Sequence, residues 1–303
     1  MLLTTDSVSL KVYEALASEA RLKIIDLLYR KEMSIKELAA ELFLSNAIVS
    51  SHVNKLEQAG IVGSHMRRVN GGTYKYCHVK QEYMQIKLSP IFETATTCQE
   101  ISVPVGHYTD YEAWPTCGIA TTTKMIGQFD HPACFMDPER VNAGILWFAR
   151  GFVEYKVPNY LRKDHQLKEI EISMEISSEA PQVNENWPSD ICFSLNHKKL
   201  GIWTSPGDFG EQKGRLTPEW WHSDVNQYGV LKVLRINEKG TFIDGQRISD
   251  INLNELQLDT PYWTFSISPE DAAFGRGGLT LFGKGFGNYN QDILIRYYYE
   301  HLS

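Results

Sequence analysis

The 303-residue sequence lacks any apolar run approaching the roughly 20 residues that a membrane-spanning helix requires. Its opening, Met1-Leu2-Leu3-Thr4-Thr5-Asp6, has neither the basic stretch nor the apolar core of a signal peptide. A cytoplasmic protein without membrane contact is therefore expected. Cysteine is scarce, and Cys77, Cys98, Cys117, Cys134 and Cys192 are odd in number and widely spread. That excludes a disulfide framework and suits a reducing compartment with buried thiols. There is no Cys-x-x-Cys pair, so Cys117 with His131-Pro132-Ala133-Cys134 reads as buried thiols rather than a metal site. The glycine-rich stretch from Gly275 to Gly287 is not followed by Gly-Lys-Ser/Thr, which excludes a phosphate loop and leaves turns and bulges. No cofactor is called for. Glu154, Glu219 and Asp224 can be drawn as an acid and base pair for glycoside chemistry, but acids are abundant here and no catalytic residue is assigned.

Charge is unevenly placed. Residues 1–88 hold 12 Lys and Arg against 9 Asp and Glu, whereas the remainder holds 18 against 28. A mildly basic front on an acidic body fits approach to a polyanion by one end.

The front reads as helical. Val8, Val12, Ala15 and Leu16 recur at helical spacing, opened by Asp6 or Ser7. Ser18 is placed to cap a second helix that buries Leu22, Ile25, Leu27 and Leu28. Ser34-Ile35-Lys36-Glu37 matches a capping box, opening a third helix that buries Ile35, Leu38, Ala39 and Leu42. After a turn at Phe43-Leu44, Ser45 caps a fourth helix ending near Ala59, with Gly60 as its stop. An alternating stretch from Ile61 to Val79 is interrupted by Asn70-Gly71-Gly72, the signature of a tight hairpin. Helix, turn, helix and hairpin together predict a winged helix-turn-helix over residues 1–88.

In the fourth helix Ile48, Val49, Val53, Leu56 and Ala59 are expected to face the core. Asn46, Ala47, Ser50, Ser51, Asn54 and Lys55 are left for a major groove, where amides, hydroxyls and methyls discriminate base pairs. Ser34, Lys36 and Ser45 stand at helix starts suited to phosphate, and Arg67, Arg68, Tyr74 and Lys75 lie on the hairpin. His52 reads as a packed histidine. The segments from Tyr13 to Leu28 and from Leu44 to Val62 resemble the ArsR family of bacterial winged-helix regulators, over about residues 8–80. The resemblance implies a homodimer on double-stranded, roughly palindromic operator DNA, with the first helix in the dimer interface. The stretch from Leu38 to Leu44 lacks the cysteines of metalloid-sensing members, so control is expected elsewhere.

After a linker at about 87–100, the pattern becomes period-two. Leu167, Ile170, Ile172, Met174 and Ile176 oppose Glu169, Glu171, Ser173 and Glu175, and further short strands fall near 145–157, 190–205, 229–249, 261–268, 279–283 and 292–300. This predicts an all-β antiparallel jelly-roll sandwich over 101–303, and a multidomain α+β chain overall. Aromatic and polar residues in its loops (Trp203, Asp208, Trp220, Trp221, Asp224 and Tyr228) are candidate ligand contacts, since carbohydrates bind to aromatic faces flanked by carboxylates. The unit also broadly resembles carbohydrate-binding jelly rolls. Core packing of these tryptophans, a protein-docking or oligomerisation role, and a glycoside-active enzyme remain open alternatives.

Overall fold

The structure, a computed structural model, describes residues 1–5, 7–69, 71–81, 84–88, 97–270 and 277–302. The chain divides into two units, Met1–Glu93 and Thr94–Ser303. Asp6 and Asn70, the expected cap and turn residues, lie outside the described residues.

The first unit contains α1 (Leu10–Leu16), α2 (Glu19–Arg30), α3 (Ile35–Leu42) and α4 (Asn46–Gln58). Its strands are β1 (Leu2–Thr4), β2 (Met33–Ser34), β3 (Val62–Val69), β4 (Gly72–Val79) and β5 (Gln85–Lys87). Strand β3 pairs antiparallel with β4 to make the wing, β2 adds to the other edge of β4, and β1 pairs parallel with β5. The core is built from Val12, Ile24, Leu28, Leu38, Val49, Val53 and Leu56. Three expected core positions differ. Val8, Leu22 and Ile48 are exposed, because α1 starts only at Leu10 and because Arg21 and Ile24 occupy the inward face of α2. Buried Arg21 donates to the carbonyls of Ala15 (2.6 Å) and Glu14 (2.8 Å), satisfying the end of α1 with a charged hydrogen bond.

The two helices of the turn motif end alike. At the end of α4, Ile61 N–H bonds to Leu56 O (3.0 Å) and Gly60 N–H to Glu57 O (2.9 Å), with Gly60 at φ 71°. At the end of α3, Leu44 N–H bonds to Ala39 O (3.0 Å) and Phe43 N–H to Ala40 O (3.3 Å), with Phe43 at φ 55°. Both are Schellman ends, which require a left-handed residue and favour glycine. Phe43 takes that place although its side chain is 95% exposed and contributes little packing. Phe43→Gly is therefore expected to stabilise this unit by about 1 kcal/mol, read from urea midpoints, whereas an unchanged or lower midpoint would contradict the strain.

The second unit is all-antiparallel. Its strands are β6 (Thr97–Val103), β7 (Asp110–Ala120), β8 (Met125–Ile126), β9 (Ile145–Pro158), β10 (His165–Ser177), β11 (Ser189–Leu195), β12 (Lys198–Ser205) and β13 (Val230–Asn237). They continue as β14 (Gly240–Ile243), β15 (Gln246–Ser249), β16 (Tyr262–Pro269), β17 (Leu279–Phe282) and β18 (Ile293–His301). The main path runs β12-β11-β16-β9-β17-β10-β13-β14-β15, with β18 joining β10 to β6, and β7 joining β9 to β8. Strands β9 and β10 are long enough to change neighbours along their length: β9 pairs with β17 at its start and β16 at its end. That lets a single sheet curl, nearly barrel-like, around one core containing Phe148, Tyr155, Phe193, Trp263, Phe265 and Tyr297. A smaller cluster of Trp147, Trp221, Phe282 and Phe286 lies beside it.

The polar side of β10 differs from the amphipathic reading. Glu171, Ser173 and Glu175 are buried rather than turned to water. Glu171 is clasped by Arg235 (3.0 Å) and Arg296 (3.1 Å), and Ser173 accepts from Gln291 Nε2 (2.9 Å). Glu175 accepts backbone N–H groups from Gly229 (2.9 Å), Asn288 (2.8 Å) and Tyr289 (2.9 Å). Burial pushes its carboxyl up to about 7, against the pull of those amides. Gly287, at φ 69°, packs directly on this carboxylate where a Cβ would collide with it.

Candidate functional site

In the first unit, the local sequence orients α4 through its caps. Ser45 Oγ accepts from Ile48 N–H at 3.3 Å, and buried Val49, Val53 and Leu56 fix the inward face. Asn46, Ala47, Ser51, Asn54 and Lys55 are consequently exposed, and Ser50 is half-buried. On the wing Arg67 lies over the Tyr76 ring (5.4 Å to its centroid), Arg68 is exposed and Tyr74 is 40% exposed. Lys36 is exposed on the first turn of α3. Burial, then the charges of Arg21 and Lys55, hold His52 below the usual imidazole value, so it is neutral at pH 7.

Besides Ser45, which caps α4, Ser34, Lys75 and Asn54 have partners inside the protein. Ser34 is buried. Its hydroxyl donates to Glu37 Oε2 (2.6 Å) and accepts from Glu37 N–H (3.3 Å), while its own N–H donates to Glu37 Oε2 (2.7 Å). The completed capping box leaves no free hydroxyl for phosphate. Lys75 Nζ donates to Glu57 Oε2 (2.7 Å) and to Asn54 Oδ1 (3.3 Å), so it ties the wing to α4. Burial opposes ionisation of Glu57, but hydrogen bonds from Lys75 and Ser64 outweigh it and keep the carboxyl below its usual value. Among the described residues, the cations this face leaves for DNA are then Lys36, Lys55, Arg67 and Arg68.

The family model of bacterial regulatory proteins of the arsR family matches residues 18–64, which run from the cap of α2 to the start of the wing. Residues 18–64 are an ArsR-family helix-turn-helix. An uncharacterised HTH-type transcriptional regulator of Methanocaldococcus jannaschii is 44% identical over 54 residues, or 18% of this chain; the match spans 57% of that relative's length. HlyU of Vibrio vulnificus is 32% identical over 25% of this chain and 75% of its own, with a TM-score of 0.22. A Mycobacterium bovis protein, described as a homodimeric winged helix-turn-helix DNA-binding domain and a possible ArsR-family regulator, is 28% identical. That match covers 24% of this chain and 63% of the other, at a TM-score of 0.21. No helix among the described residues is long and apolar enough to cross a membrane.

Beyond this ArsR-type unit, the six candidate ligand contacts of the β unit differ in burial and packing. Trp221 is buried, edge-on to Trp147 (5.6 Å) and Phe286 (5.2 Å), and its Nε1 donates to Asn226 O (2.9 Å). Trp220 packs edge-on to Trp221 and donates to Thr122 O (2.7 Å). Trp203 lies under Lys232 Nζ (4.6 Å), and Tyr228 stacks on Phe209 (5.3 Å). Asp224 is exposed, and Asp208 is 1% exposed. Trp220 and Trp221 thus hold their loop onto the smaller core cluster, whereas Trp203 lies on β12 and packs against the main core. The thiols of Cys117 and Cys134 are buried, and burial pushes them up to about 12 and about 11, so they are protonated core atoms.

An open groove, formed on the face shared by β7, β9 and β16, brings together residues the sequence did not single out as a set. Glu112, Trp114, Arg150, Glu154, Ser266 and Ser268 line it. Glu112 lies opposite Phe152 and Glu154 opposite Ser266, so alternate positions of three strands share the face. Trp114 is 49% exposed, and its Nε1 donates to Glu112 Oε1 (2.6 Å). Only a strand assignment for residues 110–120 would have exposed this arrangement, and Pro115 within β7 hid it.

Proposed function

We propose that the protein is a cytoplasmic, homodimeric regulator that binds operator DNA through its ArsR-type unit and senses a small polar ligand through its β unit. The observation that carries the DNA reading is the outward face of α4 with short side chains at Asn46, Ala47, Ser51 and Asn54, three polar and one a methyl, flanked by the cations of the wing. Amides and hydroxyls at this spacing read base edges, while Arg67, Arg68, Lys36 and Lys55 meet phosphate. Exposed Val8, Leu10, Leu22 and Tyr29 on and beside α1 and α2 give apolar area for a second copy, in keeping with the homodimer described for the Mycobacterium bovis protein.

Asn46→Ala is expected to lose about 1–3 kcal/mol of discrimination at one or two base pairs, with little change on random DNA. Fluorescence anisotropy on selected operator and scrambled duplexes tests this, and an equal loss on both would remove Asn46 from base reading. Light scattering of the free protein tests the dimer.

For the ligand, the groove at Trp114 supports a carbohydrate. An exposed indole offers a face for sugar C–H groups, with Glu112, Arg150, Glu154 and two serines placed around it for hydroxyls. Trp114→Ala is expected to abolish a saccharide-induced melting shift while the unliganded melting temperature holds, because the side chain is half exposed. A shift that survives the substitution would move the sugar site elsewhere.

A further inference from the structure

A second cavity, of about 150 Å³, is lined by Phe129, Trp147, Glu179, Asp208, Val225 and Asn226, among others. Three of these polar residues are almost completely buried: Glu179 is 6% exposed, Asp208 1% and Asn226 3%. Their hydrogen bonds leave a particular deficit. Asp208 Oδ2 accepts from Ala180 N–H (3.2 Å), while Asp208 Oδ1 has no partner. Asn226 Nδ2 donates to Glu179 Oε2 (3.0 Å) and Thr280 Oγ1 (2.9 Å), which fixes the amide orientation and leaves its Oδ1 without a partner. Unpartnered buried acceptors are rare in native proteins because each forfeits its hydration without replacement.

Thr116 Oγ1, also in the lining, has no partner either; beyond that hydroxyl the deficit is of acceptors without donors and of negative charge without positive. Among the described residues no Arg, Lys or His lines the cavity. Asp130, the other acid in the lining, is occupied by accepting from Cys117 N–H (2.8 Å). The remaining walls are mixed: Thr116 and Gln182 add a hydroxyl and an amide, while Phe129, Trp147, Ala180 and Val225 are apolar, with the Phe129 and Trp147 rings 5.6 Å apart. A bare divalent ion would leave the Phe129 and Trp147 rings, Ala180 and Val225 without a role in the site. Convergent polar groups beside aromatic rings instead describe a pocket for an organic molecule.

We propose that this cavity binds a small organic ammonium ion. Its N–H groups meet the free acceptors of Asp208 and Asn226 and the Glu179 carboxyl, its charge complements the acid pair, and its apolar body lies against Phe129 and Trp147. Cation–π attraction from a desolvated indole adds to the binding. This site is separate from the saccharide groove and does not rest on it.

Protonation follows from the same geometry. Burial raises Asp208 to about 7, and burial together with the charge of Asp208 raises Glu179 well above the carboxylate range. Both folded values lie above the unfolded ones. The stability they lend is therefore full below about pH 4 and is lost as pH rises through about 7. A bound cation reverses this by favouring the ionised pair, so binding strengthens with pH and releases protons.

Calorimetric titration of the full chain with benzylammonium, benzyl alcohol, glucose and calcium chloride tests the proposal. Benzylammonium is expected to bind, with affinity rising about tenfold or more between about pH 6 and about pH 8. Benzyl alcohol is expected not to bind. Asp208→Asn is expected to lose about tenfold or more of that affinity while melting at or above the parent temperature at about pH 8, since it removes a charge buried without a partner. Equal binding of the alcohol, Asp208-dependent binding of glucose or calcium instead, or no benzylammonium binding at about 10 mM would each overturn it. Glucose binding that depends on Trp114 and not on Asp208 reports on the groove alone.

Discussion

Glu175→Leu is expected to lower the stability of the β unit by about 3–5 kcal/mol, enough to unfold many domains at physiological temperature. The size follows from what the carboxylate holds. Three backbone N–H groups, from Gly229, Asn288 and Tyr289, converge on it from two separate loops. A leucine fills the space and leaves all three without an acceptor, at about 1–3 kcal/mol for each group that stays buried. Gly287 sits on the carboxylate itself, and its own N–H donates to Thr217 Oγ1 (3.2 Å). Glu175→Gln retains one acceptor oxygen and turns an NH2 toward the donors, so an intermediate loss of about 1–3 kcal/mol is expected. Urea denaturation followed by tryptophan fluorescence separates these outcomes. A leucine variant within about 1 kcal/mol of the parent would show that water satisfies these amides and that Glu175 is dispensable.

The second large effect is expected on DNA. Replacing Arg67 and Arg68 together with alanine should reduce the salt dependence of binding by about 2 per protomer, at about 0.9 for each phosphate no longer neutralised. Affinity at moderate salt should fall by at least about tenfold on specific and random duplexes alike, because phosphate contacts carry no sequence information. Both side chains are exposed, so thermal stability should be unchanged. Lys75 makes a useful contrast. Its ammonium is already paired with Glu57, so Lys75→Ala should alter the seating of the wing on α4 more than the salt slope. An unchanged slope in the double arginine variant would place the wing away from the backbone.

The helical half was legible because its signals are local. The capping box at Ser34, the glycine stop at Gly60 and the spacing of Val49, Val53 and Leu56 all act within one or two turns, and the structure shows each in place. The same locality misleads at Ser34, where a residue suited to phosphate is consumed by its own helix. In the β half, strands β9 to β18 coincide with runs of alternation. Strand β6 begins inside the expected linker because its polar edge sequence, Thr97–Val103, lacks a clear apolar face. Strand β7 is hidden by Pro115 and by the register shift between Trp114 and Cys117. The acid pair is half visible. Asp208 stands out by its loop, but Glu179 and Asn226 join it from 29 and 18 residues away in sequence, a range at which no periodicity operates. Trp221, expected at a ligand face, is packed instead, since an indole gains most from burial when a carbonyl accepts its N–H.

Strand β18 lies between β6 and β10, so the first and last strands of the β unit are neighbours. On a ribosome this separates the two units in time. The helical unit is complete once about the first 90 residues have emerged, whereas β6 must wait with an open edge until β18 appears some 190 residues later. During that interval a folded ArsR-type unit is tethered to an unfinished sheet, and a chain broken between the end of that unit and Ile293 keeps its helix-turn-helix while losing the strand that closes the sheet. The polar sequence of β6, Thr97–Val103, suits a strand whose edge stays open for that long, since polar edges resist pairing with other chains.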